Sequence, residues 1–257
     1  MFEIEAELLE IVSLGPRLFK MKFRAPKICD EVEPGQFVHI QLNGFEAHIL
    51  RRPISVYRVN HEEQSIELIV QEVGEGTRFM AQAQAGAHFN MLGPVGHGWK
   101  LKQRDERVLI VGGGVGAAPL YMFTQLCVER GVAVEVVLGA QTKDALVTYE
   151  DYKQLLGREP LCATDDGSFG RAGFCTVLVE EALSQGAFDA VYVCGPEPLM
   201  RIVAQTAVSH KVPCQVSMEK RMACGVGACL SCVVDTTEGR KRSCVDGPVF
   251  DAAKVVW

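Results

Sequence analysis

Four cysteines near the end of the chain constrain it more than any other feature. They stand in Cys224-Gly225-Val226-Gly227-Ala228-Cys229-Leu230-Ser231-Cys232, with Cys244 following after eleven further residues. This C-x4-C-x2-C…C spacing is that of plant-type [2Fe–2S] sites. Thiolates are soft, anionic donors suited to iron, and a tight loop can bring three of them to one centre while a later turn supplies the fourth. Gly225, Gly227 and Ala228 let the backbone wrap closely and aim N–H groups at sulfur. A four-cysteine zinc site is the competing reading. Structural zinc usually takes paired C-x2-C knuckles, however, and only Cys229 and Cys232 form one.

The remaining cysteines carry less. The chain has ten in all, and Cys29, Cys127, Cys162, Cys175, Cys194 and Cys214 are scattered singly, the pattern of small buried hydrophobes. The start, Met1-Phe2-Glu3-Ile4-Glu5-Ala6-Glu7-Leu8, is acidic and alternating and lacks the features of a secretory signal. The expectation is a cytoplasmic protein whose clustered cysteines bind metal instead of forming disulfides. A formal net charge of -6 argues against a nucleic-acid partner. Val108 to Val128 has no charged residue over 21 positions, yet its interior cluster of glycines and Pro119 marks a turn, so no membrane span is expected.

With 257 residues, 48% of them hydrophobic, the chain can bury more than one core. Up to residue 101, short alternating runs such as Phe37 to Leu42 and Ser65 to Val70, separated by turn residues, suggest an antiparallel barrel. From 102 to 212 the pattern changes. Val108 to Val111 is a continuous apolar strand, and further strands at Val132 to Leu138, Pro160 to Thr164 and Ala190 to Cys194 alternate with helices at Leu120 to Arg130, Thr176 to Ser184 and Glu197 to Ser209. Such alternation implies a parallel sheet with helices on both faces. A strand over Pro213 to Met218 opens the third region, 213–257, which holds the cysteine loop.

Two further motifs bear on chemistry. Gly112, Gly113, Gly114 and Gly116 follow a strand and precede a helix, so a dinucleotide pyrophosphate could approach bare backbone there. A structural turn explains the same residues. No acidic residue ends the next strand, which reads Leu138-Gly139-Ala140-Gln141, so NAD and NADP both stay open. Arg51-Arg52-Pro53-Ile54-Ser55 lies on a barrel strand, with Gly74-Glu75-Gly76-Thr77 at a helix start. An arginine fork and a Gly-Thr turn can hold a flavin pyrophosphate, although helix capping alone explains Thr77.

Together and in this order, these signals resemble the ferredoxin–NADP reductase superfamily. The residues Arg52 to Ser55, Gly112 to Ala118, Asp165-Asp166-Gly167-Ser168, Cys194-Gly195-Pro196 and the cysteine loop ending Cys244-Val245-Asp246-Gly247-Pro248 are similar to one family within it. That family comprises the electron-transfer subunits of two-subunit, NAD-dependent dihydroorotate dehydrogenases, and the likeness spans essentially the whole chain. It implies an N-terminal antiparallel FAD-binding β-barrel (1–101), a Rossmann-like nicotinamide-binding α/β domain (102–212) and a C-terminal [2Fe–2S] cluster-binding region (213–257). It places FAD on Arg52, Pro53, Ile54, Ser55, Val70, Gln71, Glu72, Gly76 and Thr77. NAD falls on the glycine turn with Cys194, Gly195 and Pro196, and the cluster on Cys224, Cys229, Cys232 and Cys244. Glu72 departs from the family, some members of which carry a basic residue there.

The same resemblance implies a partner, an FMN-containing catalytic subunit that oxidises dihydroorotate in pyrimidine biosynthesis, in a heterotetramer of two copies of each chain. No acid–base side chain of this chain is required. The alternative is a subunit of an electron-bifurcating ferredoxin–NADP oxidoreductase or of another FAD/[2Fe–2S] reductase. The bifurcating subunits tend to replace the first cysteine ligand by aspartate, so Cys224 favours the dihydroorotate-linked family.

Overall fold

A computed structural model describes residues 1–44 and 49–257. Its first part is a closed antiparallel barrel of β1 (Phe2–Gly15), β2 (Leu18–Arg24), β3 (Phe37–Ile40), β4 (Arg52–Asn60), β5 (Ser65–Gln71) and β6 (His88–Val95), in the order β1-β2-β5-β4-β3-β6. Alternation along the strands sets its inside. Ala6 and Leu8 of β1, Phe19, Met21 and Phe23 of β2, and Ile66, Leu68 and Val70 of β5 meet in one core, while Glu3 and Glu5 face outward. Helices α1 (Pro26–Glu31) and α2 (Glu75–Ala81) lie between β2 and β3 and between β5 and β6.

The second part is a seven-stranded sheet of β7 (Arg107–Gly113), β8 (Ala133–Ala140), β9 (Leu161–Thr164), β10 (Arg171–Ala172), β11 (Ala190–Cys194), β12 (Cys214–Ser217) and β15 (Val249–Asp251). The order is β10-β9-β8-β7-β11-β12-β15, all parallel except β15, which runs antiparallel to β12. Helices α3 (Ala118–Glu129), α4 (Tyr149–Leu156), α5 (Thr176–Gln185) and α6 (Glu197–Ser209) connect the strands. From β7 the chain builds outward through β8, β9 and β10, then returns to lay β11 on the other side of β7. Ligands in open parallel sheets bind where strand order reverses in this way, at the carboxyl ends of the strands. Here that point is the end of β7 beside the end of β11.

The third part is stitched to both others. The hairpin β13 (Val233–Thr236) and β14 (Gly239–Arg242) follows the cysteine loop, and β15 then completes the large sheet. Phe37 and Val95 of the barrel share a small apolar cluster with Met222, Cys232 and Cys244. Barrel and sheet are also joined directly. Tyr57 packs on Tyr121 of α3 with ring centroids 4.9 Å apart, Arg58 pairs with Asp151 at 2.7 Å, and the Tyr57 hydroxyl donates to Asp151.

Candidate functional site

The cysteine loop is shaped around sulfur. The backbone N–H groups of Val226 and Cys229 each donate to Cys224 Sγ at 3.4 Å. Gly225 and Gly227 supply positive φ angles of 72° and 82°, and Leu230 adopts 57°, a conformation that a branched residue holds only when its surroundings impose it. Arg242 closes the loop by donating to Gly227 O at 3.2 Å, held in turn by Asp246 at 3.1 Å. Ser243 ties the turn that carries Cys244 to the rest, its N–H to Cys232 O at 2.9 Å and its hydroxyl to Met218 O at 3.0 Å.

The electrostatics suit bound metal. Burial acts to raise the Cys224 thiol, but the N–H donors of Val226 and Cys229 outweigh it and bring the pKa down to about 6. Cys244 goes the other way: burial, then the Cys232 sulfur 3.3 Å away, push it up to about 12. Two buried thiols this close ionise together only when a cation compensates them. The close Cys232–Cys244 pair and the N–H groups directed at Cys224 fit thiolates gathered for a bound metal centre.

Next to this loop a cavity of about 320 Å³ opens between barrel and C-terminal region, lined by Phe37, Pro53, Ser55, Met218, Met222 and Pro248 among others. β4 explains the division of labour, since alternate residues point to opposite faces. Pro53 and Ser55 face the cavity, whereas Ile54 packs against the barrel core. Val70 also belongs to that core, 1% exposed, so only its backbone is available to a ligand. Gln71 ends β5 and lines the neighbouring cleft, and Glu72 lies just beyond, its carbonyl taken by Arg17 at 3.0 Å.

Arg52 and the turn at Gly76 come together as the spacing suggested. The half-buried guanidinium lies so close to the Gly76 Cα that a Cβ there would collide with it, and among the described residues it donates to Leu50 O. No acidic side chain among the described residues pairs with it, and burial lowers its pKa. Such a fork is disposed to receive an anion. Thr77 is committed to capping: its Oγ1 accepts from Val73 N at 3.0 Å and Gly74 N at 3.2 Å and donates to Gly74 O.

At the switch point lies a cleft of about 540 Å³ that brings Gly113, Gly114 and Gly116 together with Cys194, Gly195 and Pro196. Gly112 lies beneath it, where a Cβ would meet Ala117 at 2.7 Å. A single 3-10 turn, Gly114–Ala117, separates the glycines from α3. Cys194 is buried and its thiol pKa is raised, chiefly by that burial, so it stays protonated. At Gly116 the close approach is to backbone. An added Cβ would lie 2.7 Å from the backbone N of Gly195 and 2.8 Å from the carbonyl carbon of Cys194. Neither can yield, so Gly116→Ala should cost about 1–3 kcal/mol of stability as overpacking does, which denaturant melts of the variant beside the parent chain check.

Several lining residues had no motif to announce them. Glu219 lines both cavities, its pKa raised by burial although solvent reaches it through the cleft. Phe37 and Met222 line the smaller cavity and pack on Cys232 and Cys244. One layer of side chains therefore parts that cavity from the thiols of Cys232 and Cys244.

Three segments match known domains. Residues 219–256 match the iron-sulfur cluster binding domain of dihydroorotate dehydrogenase B, 110–205 the oxidoreductase NAD-binding domain and 5–99 the oxidoreductase FAD-binding domain. The chain is 37% identical over 257 residues to the dihydroorotate dehydrogenase B (NAD(+)) electron transfer subunit of Desulforamulus reducens, covering 98% of each. It is 39% identical over 248 residues to the Geobacillus kaustophilus protein of the same name, covering 95% of this chain and 94% of that one. A solved NADH-dependent reduced ferredoxin-NADP oxidoreductase, a flavin-based bifurcating enzyme, has a chain matching with TM-score 0.90 and 31% identity, over 99% of this chain and 90% of its own.

Proposed function

The chain belongs to the family of electron transfer subunits of NAD-dependent dihydroorotate dehydrogenase B, and we propose that it takes electrons at its cysteine loop from a separate dihydroorotate-oxidising subunit and delivers them to NAD+. When bound, the cluster carries single electrons and FAD gathers them for hydride transfer. The protein's own part is placement. Cys224, Cys229, Cys232 and Cys244 would hold the cluster, while Arg52 and the Gly76 turn would take the FAD pyrophosphate. Pro53 and Ser55 would border its ring, and the Gly113 to Gly116 turn with Gly195 and Pro196 would receive the nicotinamide cofactor.

The observation that carries this reading is the thin wall between the cavity and the thiols, built by Phe37 and Met222. The loop itself reaches solvent, with Val226 47% and Leu230 64% exposed, so electrons can enter from another molecule. The proposal takes that molecule to be an FMN-containing catalytic subunit, with two copies of each chain in a cytoplasmic complex. No helix of the described residues is long and apolar enough to cross a membrane.

The 31% identity and TM-score of 0.90 to the bifurcating enzyme support a second reading, a reductase subunit serving another donor. Anaerobic co-expression with an FMN-dependent dihydroorotate-oxidising subunit separates the two. The expected result is a complex containing FAD and iron that reduces NAD+ with dihydroorotate only when both chains are present. A loaded chain that neither assembles with that subunit nor couples dihydroorotate to NAD+ would overturn the first reading.

A further inference from the structure

His39 lies on β3 opposite Pro53 of β4. Its sequence neighbours Val38 and Ile40 belong to the barrel core, so alternation sends His39, like Phe37, to the outer face. There it is completely buried, and neither Nδ1 nor Nε2 has a hydrogen-bond partner among the described residues. The cysteine loop covers it: a Cβ on Gly225 would lie 2.6 Å from His39 Nδ1. Only a glycine lets the backbone beside Cys224 rest on the imidazole so closely. The loop thus closes over a polar ring that has no hydrogen-bond partner among the described residues, and a buried group of this kind calls for one.

In either protonation state an imidazole carries at least one N–H, so the ring has a hydrogen to donate. We propose that His39 is a hydrogen-bond donor to the iron–sulfur site, directed at the Cys224 sulfur or the cluster it ligates, and that it helps set the potential at which the cluster accepts an electron. This rests on the cluster reading of the four cysteines. A donor to thiolate or sulfide stabilises the more negative, reduced state, so it raises the reduction potential. The role is one of tuning: the ring takes no part in bond making or breaking.

The test uses the two-subunit complex purified anaerobically, with the cluster potential read by EPR-monitored redox titration. His39→Leu removes the donor, and His39→Gln retains an N–H. The expected result for His39→Leu is unchanged iron and FAD content and a roughly tenfold shift toward the oxidised cluster at fixed potential, about 59 mV for a one-electron couple. His39→Gln should recover most of that shift. Pulsed EPR of the reduced wild-type complex labelled with 15N-histidine should show a weak coupling to the cluster spin. An unchanged potential in His39→Leu overturns the proposal. Should both variants lose the cluster, the wild-type coupling decides: its presence supports the donor and its absence refutes it. A wild-type complex with no cluster signal would instead refute the cluster reading itself.

Discussion

Cys232→Ser is expected to leave a chain that binds FAD and oxidises NADH with an artificial acceptor, yet contains almost no iron and accepts no electrons from its partner. The substituted atom is deeply placed: Cys232 is 2% exposed and its sulfur lies 3.3 Å from that of Cys244. A serine oxygen is a harder, more basic donor that is poorly suited to replace a thiolate at iron. Its size is tolerable, so the apolar cluster of Phe37, Val95 and Met222 should survive and the fold with it. Iron analysis and the visible spectrum read the loss of cluster, and NADH oxidation reads the retained flavin. Full iron content in the variant would mean that the Cys232 thiolate is not needed to hold the iron.

Arg52→Ala should have the next largest effect and leave the cluster in place. The guanidinium lies on the Gly76 turn without an acidic partner among the described residues, so its charge is available to a bound anion. Losing a charge-assisted pair of hydrogen bonds costs about 3 kcal/mol, which is roughly a hundredfold weaker FAD binding. Purified Arg52→Ala should therefore lose most of its flavin, with unchanged iron. Arg52→Lys should rescue little, because an ammonium is a point charge without the planar fork. Flavin fluorescence released on dilution measures the change, and normal FAD retention in Arg52→Ala would remove Arg52 from the pyrophosphate site.

Much of the fold was legible because its signals are local. The expected helices at 120–130, 176–184 and 197–209 appear as Ala118–Glu129, Thr176–Gln185 and Glu197–Ser209, since ten or more residues give a helical period enough turns to show. α1, with six residues, and β10, with two, are too short to carry a period, and α4 spans only Tyr149–Leu156. The antiparallel pairing of β15 with β12 joins Val216 to Phe250 across the whole cysteine region. No local pattern announces such a contact, because its stabilisation comes from burial completed by distant chain.

The four cysteines divide in the same way. That Cys224, Cys229 and Cys232 share one short loop is determined by sequence alone, because only seven residues, two of them glycine, stand between the first and the last. The position of that site was decided only by tertiary structure. Phe37 and His39 come from a barrel strand, Met222 from the segment after β12 and Cys244 from the turn before β15. Packing these against one another sets the single layer between cavity and thiols and leaves Val226 and Leu230 of the loop exposed. Distance and exposure are properties of surfaces brought together by burial, and these two turn a metal-binding loop into a path for electrons.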